Sequence, residues 1–284
     1  MQRYGLPADV GFRTGDSGLL PGSPTLVLIH GAGGSSQSFL PQLRGLDRFL
    51  NILTLELPGH GNTPGPGRTS ISSYAQWVHE TLTGPFFDTF FLGGHSMGGA
   101  IALEMGLRFQ EKIQGLILIA TGATLGVSPK IVSGLKEQPD ETLAKIIQGS
   151  FAKGTPPLLI RQSIQLMEQT PVPVIQGDFQ ACDHFDRQEE VSTIKIPTLI
   201  LVGDQDVMTP PASSHFLQKK IASSRLILVP GAGHLVMLEK HKEVNQAIRE
   251  FVLSSFKMQV SSGEYLKMDM GNRLWAMGYG RRKT

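Results

Sequence analysis

Four short runs, Thr25–His30, Asn51–Leu55, Thr89–Leu92 and Gly115–Ala120, are β-rich, bounded by turn residues and apolar almost without interruption. A strand with one wet face alternates apolar and polar residues. Continuous apolarity requires cover on both faces, as in a parallel sheet with crossover helices. The stretches Ser70–Thr83 and Gly99–Phe109 between these runs are helix-compatible, which gives the βαβα order of an α/β sheet. Two further strand signals, Thr198–Val202 and Arg225–Val229, resume the pattern late in the chain. The interval from about Gly122 to Ile194 breaks it with Pro129, Pro139, Pro156-Pro157, Pro171 and Pro173. Helical apolar spacing recurs there around Leu135, Leu143, Ile146 and Ile147, and again around Ile160, Ile164 and Met167. So long a segment cannot be a structureless loop, and a mostly helical insertion is expected. The expected organisation is an α/β core over 1–121 and 195–256, an insertion over 122–194 and an extension over 257–284.

With 284 residues and 40% hydrophobic content, the chain can bury a sizeable core. A formal charge of +2 is too small for a nucleic-acid binder as a whole. Cys182 is the only cysteine, so no intramolecular disulfide and no usual Cys/His zinc site can be assembled. The N-terminal residues lack an apolar signal core, and no run reaches the ~18 apolar residues of a membrane span. The expectation is a cytoplasmic protein without stable membrane insertion. Positive charge concentrates in 257–284, which also holds Met258, Met268, Met270, Met277, Tyr265, Trp275 and Tyr279. Two readings of that stretch stay open, a partly disordered extension and a docking segment.

Chemistry first shows in Gly94-His95-Ser96-Met97-Gly98, a G-x-S-x-G pattern directly after Phe90-Phe91-Leu92. Such a serine sits on a tight strand-to-helix turn with its hydroxyl held clear, and the flanking glycines avoid collisions with neighbouring elements. Three fixed positions also fit many packing turns, so the motif needs partners. A serine hydroxyl is a poor nucleophile at neutral pH; it needs a general base, and the base needs a carboxylate to orient it. Asp206 follows one late strand signal and His234 the next. In an open parallel sheet, loops after the strand carboxyl ends share one edge, so Ser96, Asp206 and His234 should meet there. Backbone N–H groups must also hold the oxyanion, and Met97, next after the serine, should give one of them.

The order Ser…Asp…His resembles that of the α/β-hydrolase fold, in particular its large esterase-like group with a helical cap. His30-Gly31-Ala32-Gly33-Gly34 and Leu57-Pro58-Gly59-His60-Gly61 are similar to that family as well, over roughly residues 25–256. The resemblance implies a mostly parallel central sheet flanked by helices, and it implies Ala32 as the second oxyanion donor. It also favours Asp206 over Asp204, being the fourth residue of Gly-x-x-Asp. His30 is expected to orient the oxyanion loop, His60 to fix the 58–61 turn, and Glu56, where the family more usually has Asp, to support that loop. His95 is expected to pack rather than react. Gly31, Phe151, Phe179 and Cys182 are the candidates for substrate contact, and the apolar residues Leu143, Ile147, Phe151, Leu158, Ile164 and Met167 suggest a greasy acyl pocket.

The expected function is a serine hydrolase that cleaves a carboxylic ester, or a related acyl bond, of a small to medium apolar acid. Its partners would be a small acyl substrate and water, with no cofactor and no metal; the oligomeric state stays open. Serine at position 96 disfavours relatives with an aspartate nucleophile. Two alternatives remain. One is a lyase of the menaquinone-pathway type or a carbon–carbon hydrolase, although a carboxylate-rich substrate would want more than the insertion's single Arg161. The other is a non-enzymatic ligand receptor on the same fold.

Overall fold

The computed structural model describes residues 4–261. Its strands are β1 (Phe12–Thr14), β2 (Thr25–Ile29), β3 (Asn51–Leu55), β4 (Phe90–His95), β5 (Ile113–Ile119), β6 (Thr198–Gly203) and β7 (Ser224–Val229). They form one seven-stranded sheet in the order β1-β3-β2-β4-β5-β6-β7. All neighbours are parallel except β1, which runs antiparallel to β3. The helices of the α/β frame are α1 (Leu40–Leu46), α2 (Ile71–Thr81) and α3 (Met97–Arg108). Four more, α4 (Pro129–Glu137), α5 (Pro139–Gly149), α6 (Pro157–Met167) and α7 (Val172–Asp183), lie between β5 and β6. The frame resumes with α8 (Pro211–Lys220), α9 (Val236–Glu239) and α10 (His241–Ser261).

The continuous apolar runs are explained by two separate cores. Val27, Ile29, Leu53, Leu55, Leu92 and Leu116 point to one face, where they meet Tyr74 of α2 and Ile101 of α3. Their alternates, among them Leu26, Leu28, Ile52 and Phe91, point to the other and meet Leu43 of α1 and Ile248 of α10. Each strand residue therefore finds an apolar layer whichever way it faces. The inserted helices have their own cluster, including Leu135, Leu143, Ile147, Phe151 and Ile175. Pro129, Pro139 and Pro157 are the first residues of α4, α5 and α6, where a missing N–H costs no helical hydrogen bond.

Beyond shifts of one or two residues at strand ends, two features differ from the sequence expectation. The three-residue β1 has no apolar run of its own, since Phe12-Arg13-Thr14 is a strand only by pairing with Leu53–Leu55. β4 does not stop at Leu92 but runs through both glycines to His95. A side chain on Gly93 would press on Leu28 and Ile117 of the neighbouring strands, so glycine there marks a crowded strand rather than a turn. Of the 257–284 extension, residues 257–261 continue α10; Tyr265, Met268, Met270, Trp275, Met277, Tyr279 and the basic terminus lie outside the described residues. Among the described residues no helix is long and apolar enough to cross a membrane.

What positions a site is the reversal in strand order. From β2 the chain steps outward to β3, then returns to the other side of β2 as β4 and continues away through β7. A crevice opens at such a reversal, outside the strand carboxyl ends. Ile29 pairs with Gly94 across that junction, so the loop after β2 and the turn after β4 emerge side by side.

Candidate active site

Ser96 occupies the turn from β4 into α3 with φ 53° and ψ −117°, a left-handed conformation that a residue with a side chain rarely adopts. The surroundings enforce it. Its N–H donates to Ile119 O at 2.9 Å, and its carbonyl accepts the Thr121 hydroxyl at 2.9 Å. A β-carbon on Gly94 would overlap the Gly98 carbonyl, and one on Gly98 would overlap Ile29 O. Both glycines of the motif are therefore demanded by backbone crossing backbone.

The loops after β6 and β7 bring the acid and the imidazole together. His234 Nδ1 lies 2.9 Å from Asp206 Oδ2. Asp206 also accepts the N–H groups of Met208 and Thr209, each at 2.9 Å, and the Thr209 hydroxyl at 2.8 Å. Burial alone would raise its pKa, but the hydrogen bond and charge of His234, with the Thr209 donors, outweigh burial and hold it below the ordinary value. With Nδ1–H given to Asp206, Nε2 of His234 is left as the basic nitrogen. Asp204 is exposed and caps the next turn instead, accepting the Gly231 N–H at 2.8 Å.

His234 is fixed through its backbone as well. Its N–H donates to Ser150 O at 2.7 Å, and its carbonyl accepts from His95 Nε2 at 2.9 Å. Burial, then the neighbouring His234, pushes the His95 pKa down to about 3, so His95 is a neutral donor. Glu239 accepts the Gly233 N–H from the histidine loop, and the Ala152 N–H and Thr155 hydroxyl from the insertion, all at 2.9 Å.

On the opposite side of Ser96 stands the loop 31–34. A β-carbon on Gly31 would lie 2.8 Å from His95 Nδ1 and 3.3 Å from Ser96 Cβ, so that backbone abuts the serine. His30 Nδ1 is 2.9 Å from Gly31 O, and its Nε2 accepts the Leu57 N–H at 3.2 Å, which places the ring proton on Nδ1. Burial, with His60 beside it, holds His30 well below the ordinary imidazole value. Gly33 is gripped at both ends by the insertion: its N–H donates to Asp178 Oδ2 at 2.8 Å, and its carbonyl accepts the Thr170 hydroxyl at 3.0 Å. Gly34 N–H closes the turn on Gly31 O. Among the described residues the Ala32 and Met97 N–H groups have no acceptor within the protein. Both flank Ser96, where a developing oxyanion needs donors.

Asp178 is the residue that sequence reasoning missed. Fully buried on α7, it also accepts from Tyr74 OH at 2.6 Å and lies 2.8 Å from His60 Nε2. Burial lowers the His60 pKa, but the hydrogen bond and charge of Asp178 more than offset it, so the net shift is upward. The signal was present: Asp178 continues the i, i+3, i+4 stripe of Val174, Ile175, Phe179 and Cys182, and an acid on an apolar stripe requires a partner. Glu56 accepts the Ser36 hydroxyl at 2.6 Å and the Asn62 N–H at 2.7 Å, supporting the turn that carries His60.

A cavity of about 120 Å³ lies over this rim. Gly31, Ala32, Ser96 and His234 form its floor, while Ile147, Met167, Phe179 and Cys182 come from the inserted helices. Among the described residues no Asp, Glu, Lys or Arg is in its wall. Phe151 is buried within the insertion cluster rather than in the wall, with its backbone against Gly233. Leu143 belongs to that cluster, Leu158 is 57% exposed, and Arg161 faces solvent away from the cavity. The Cys182 thiol is pushed up in pKa by burial and by Asp178 and Asp183, so it lines the cavity as a neutral group. Among the described residues no cluster of His, Cys, Asp and Glu is placed to hold a metal ion.

A serine with positive φ, an acid-held histidine and two N–H groups without an acceptor thus stand together at the sheet reversal. The alpha/beta hydrolase family model matches residues 26–247, and the chain belongs to that family. A pimeloyl-[acyl-carrier protein] methyl ester esterase of Pseudoalteromonas atlantica is 25% identical over 229 residues, 74% of this chain and 87% of that protein. Lipase 1 of Psychrobacter immobilis is 26% identical over 251 residues, 83% of this chain and 78% of that one. The solved structure of a thermophilic esterase is 31% identical, with a TM-score of 0.77 over 87% of this chain and 94% of that chain. The protein is thus an esterase-like hydrolase of the α/β-hydrolase fold.

Proposed function

We propose that the protein hydrolyses carboxylic esters of small to medium, uncharged acyl groups through an acyl-enzyme on Ser96. The observation that carries this reading is one cavity shared by Ser96 and His234, with Asp206 on the far side of the imidazole and two unpaired N–H groups beside the serine. His234 Nε2 takes the Ser96 proton as Oγ bonds to the ester carbonyl carbon. The carbonyl oxygen becomes an oxyanion held by Ala32 and Met97 N–H. Collapse breaks the C–O bond to the alcohol, which leaves with the proton from His234. Water then attacks the acyl carbon, giving its proton to His234, and the acid departs as Ser96 recovers its hydrogen. The inserted helices act as a cap that supplies the acyl wall.

The uncharged wall bears on substrate class. A charged acyl chain would lose its hydration with no counter-ion to replace it, and Arg161, the cation a carboxylate-rich lyase substrate would want, faces solvent. The test is labelling with a fluorophosphonate probe, followed by kcat/KM on p-nitrophenyl esters of increasing acyl length for the wild type and Ser96→Ala. Expected are loss of labelling and a drop of several powers of ten in turnover in Ser96→Ala. Labelling that persists in the variant overturns the nucleophile assignment; wild-type turnover no faster than the variant's favours a receptor.

A further inference from the structure

Seven polar side chains line the cavity: Ser38, His95, Ser96, Ser150, Ser163, Thr209 and His234. Five are engaged within the protein. Ser38 Oγ accepts the Ser35 N–H at 3.5 Å, the Ser150 hydroxyl donates to Ile146 O at 2.8 Å and His95 donates to His234 O at 2.9 Å. Thr209 and His234 are both held by Asp206. Of these seven, only Ser96 and Ser163 have side chains with no hydrogen-bond partner among the described residues. Ser96 has the role proposed above, and Ser163 has none.

Ser163 is 8% exposed, on the inner face of α6. A helical serine usually settles its hydroxyl on the carbonyl one turn earlier, as Ser150 does on Ile146. Ser163 makes no such bond and stands in an apolar wall with Leu166, Met167 and Phe179. The hydroxyl is therefore free to bond a ligand's polar atom from the cavity wall. Its location follows from Met167, four residues on and on the same helix face, whose side chain meets Gly33 of the oxyanion loop. Four residues of helix rise about 6 Å, so the Ser163 hydroxyl stands about one helical turn along the cavity wall from the residue that meets Gly33.

We propose that Ser163 is a specificity-determining residue whose hydroxyl donates to an uncharged oxygen several bonds from the scissile carbonyl. The preferred substrate arm is then an oxygen-bearing chain, with an ether, ketone or second ester, rather than a plain alkyl chain. Ionised groups are refused by the same uncharged wall. The inference rests on the Ser96 esterase reading and deepens it.

The test is an oxygen scan. Esters in which each CH2 of the acyl chain, and in a parallel series of the alcohol, is replaced in turn by an ether oxygen are compared with their alkyl parents in wild type and Ser163→Ala. Alanine suits the helix and leaves Ser96 and the oxyanion donors in place. One oxygen position should raise wild-type kcat/KM roughly three- to tenfold relative to its neighbours, the worth of one neutral hydrogen bond. Ser163→Ala should erase that preference, so that within the variant the favoured oxygen position gives no higher kcat/KM relative to its alkyl parent than its neighbours do. If no position is favoured, or if the preference survives in Ser163→Ala, the proposal is wrong. If instead ester turnover survives in Ser96→Ala, it is the underlying reading that fails.

Discussion

Replacing Asp178 should loosen the contact between cap and catalytic rim, and the size of the effect follows from its partners. Its carboxylate satisfies Gly33 N–H, His60 Nε2 and Tyr74 OH at once, all in a fully buried position. Asp178→Ala strands three donors, one of them a buried histidine whose charged form the acid supported, so the loss should approach the ~3–5 kcal/mol of a broken buried pair. Asp178→Asn keeps the shape and one acceptor oxygen but removes the charge, and should cost about 1–3 kcal/mol. Urea unfolding would show a lower midpoint at unchanged slope. The pH dependence makes the reasoning specific. The His60 pKa is raised by its pairing with Asp178, so the pair's stability is fully present below the unfolded imidazole value of about 6.5 and is lost as pH rises through the raised folded value. The groups around the pair do not confuse this window: His30 is held down, while Tyr74 and Cys182 are pushed up. The gap between wild type and Asp178→Asn should therefore narrow from about pH 6 to pH 9. A gap that stays constant over that range, or a loss in Asp178→Ala below about 1 kcal/mol, would refute the account.

Four further outcomes are expected. Asp206→Asn should keep the fold yet lower kcat by several powers of ten, because an amide misdirects the His234 tautomer; kinetics on the best p-nitrophenyl ester would check it. Because Asp206 has its pKa lowered in the fold, its contribution to wild-type stability is present above the unfolded carboxylate value of about 3.9 and is lost as pH falls through the folded one, which an acid titration of the melting temperature would show. Gly98→Ala should give little folded protein by circular dichroism, since the new β-carbon meets Ile29 O and His30 O, backbone that cannot move aside. Glu239→Ala frees Gly233, Ala152 and Thr155 together, and should reduce kcat roughly tenfold or more with KM changed less, as the histidine loop loses its support.

The sheet was legible in the sequence wherever burial on both faces left an unbroken apolar run; β3 matches residue for residue, at Asn51–Leu55. It was not legible where pairing alone makes the strand, as in β1, or where crowding selects glycine, as at Gly93. The proline-dense interval was readable as helical because proline is tolerated in a first helical turn, and there Pro129, Pro139 and Pro157 stand. Ser96, Asp206 and His234 stood out because each follows a strand at a turn with few allowed residue types. Asp178 and Glu239 did not, for a physical reason. Their partners lie elsewhere in the fold: Asp178 meets Gly33 and His60 from 145 and 118 residues away, and Glu239 reaches Ala152 from 87. Local pattern can flag a misplaced charge, but it cannot say what the charge holds.

These long-range ties bear on how the cap can move. One end is joined to the 31–34 loop, through Asp178 and Thr170 on Gly33. The other is joined to the histidine loop, through Ser150 on His234 and Glu239 on Ala152. A cap swinging as a rigid lid would have to break both sets, including a buried carboxylate with three partners, and would displace Ala32 and His234 as it went. Entry of substrate by wholesale opening would thus dismantle the site it serves. Entry by a local parting of cap side chains leaves both attachments intact. The physical consequence is that cap substitutions near Gly33 or His234 should act on kcat, and those confined to the wall at Ile147 or Phe179 on KM. A substitution such as Phe179→Leu that lowered kcat while leaving KM untouched would break this division.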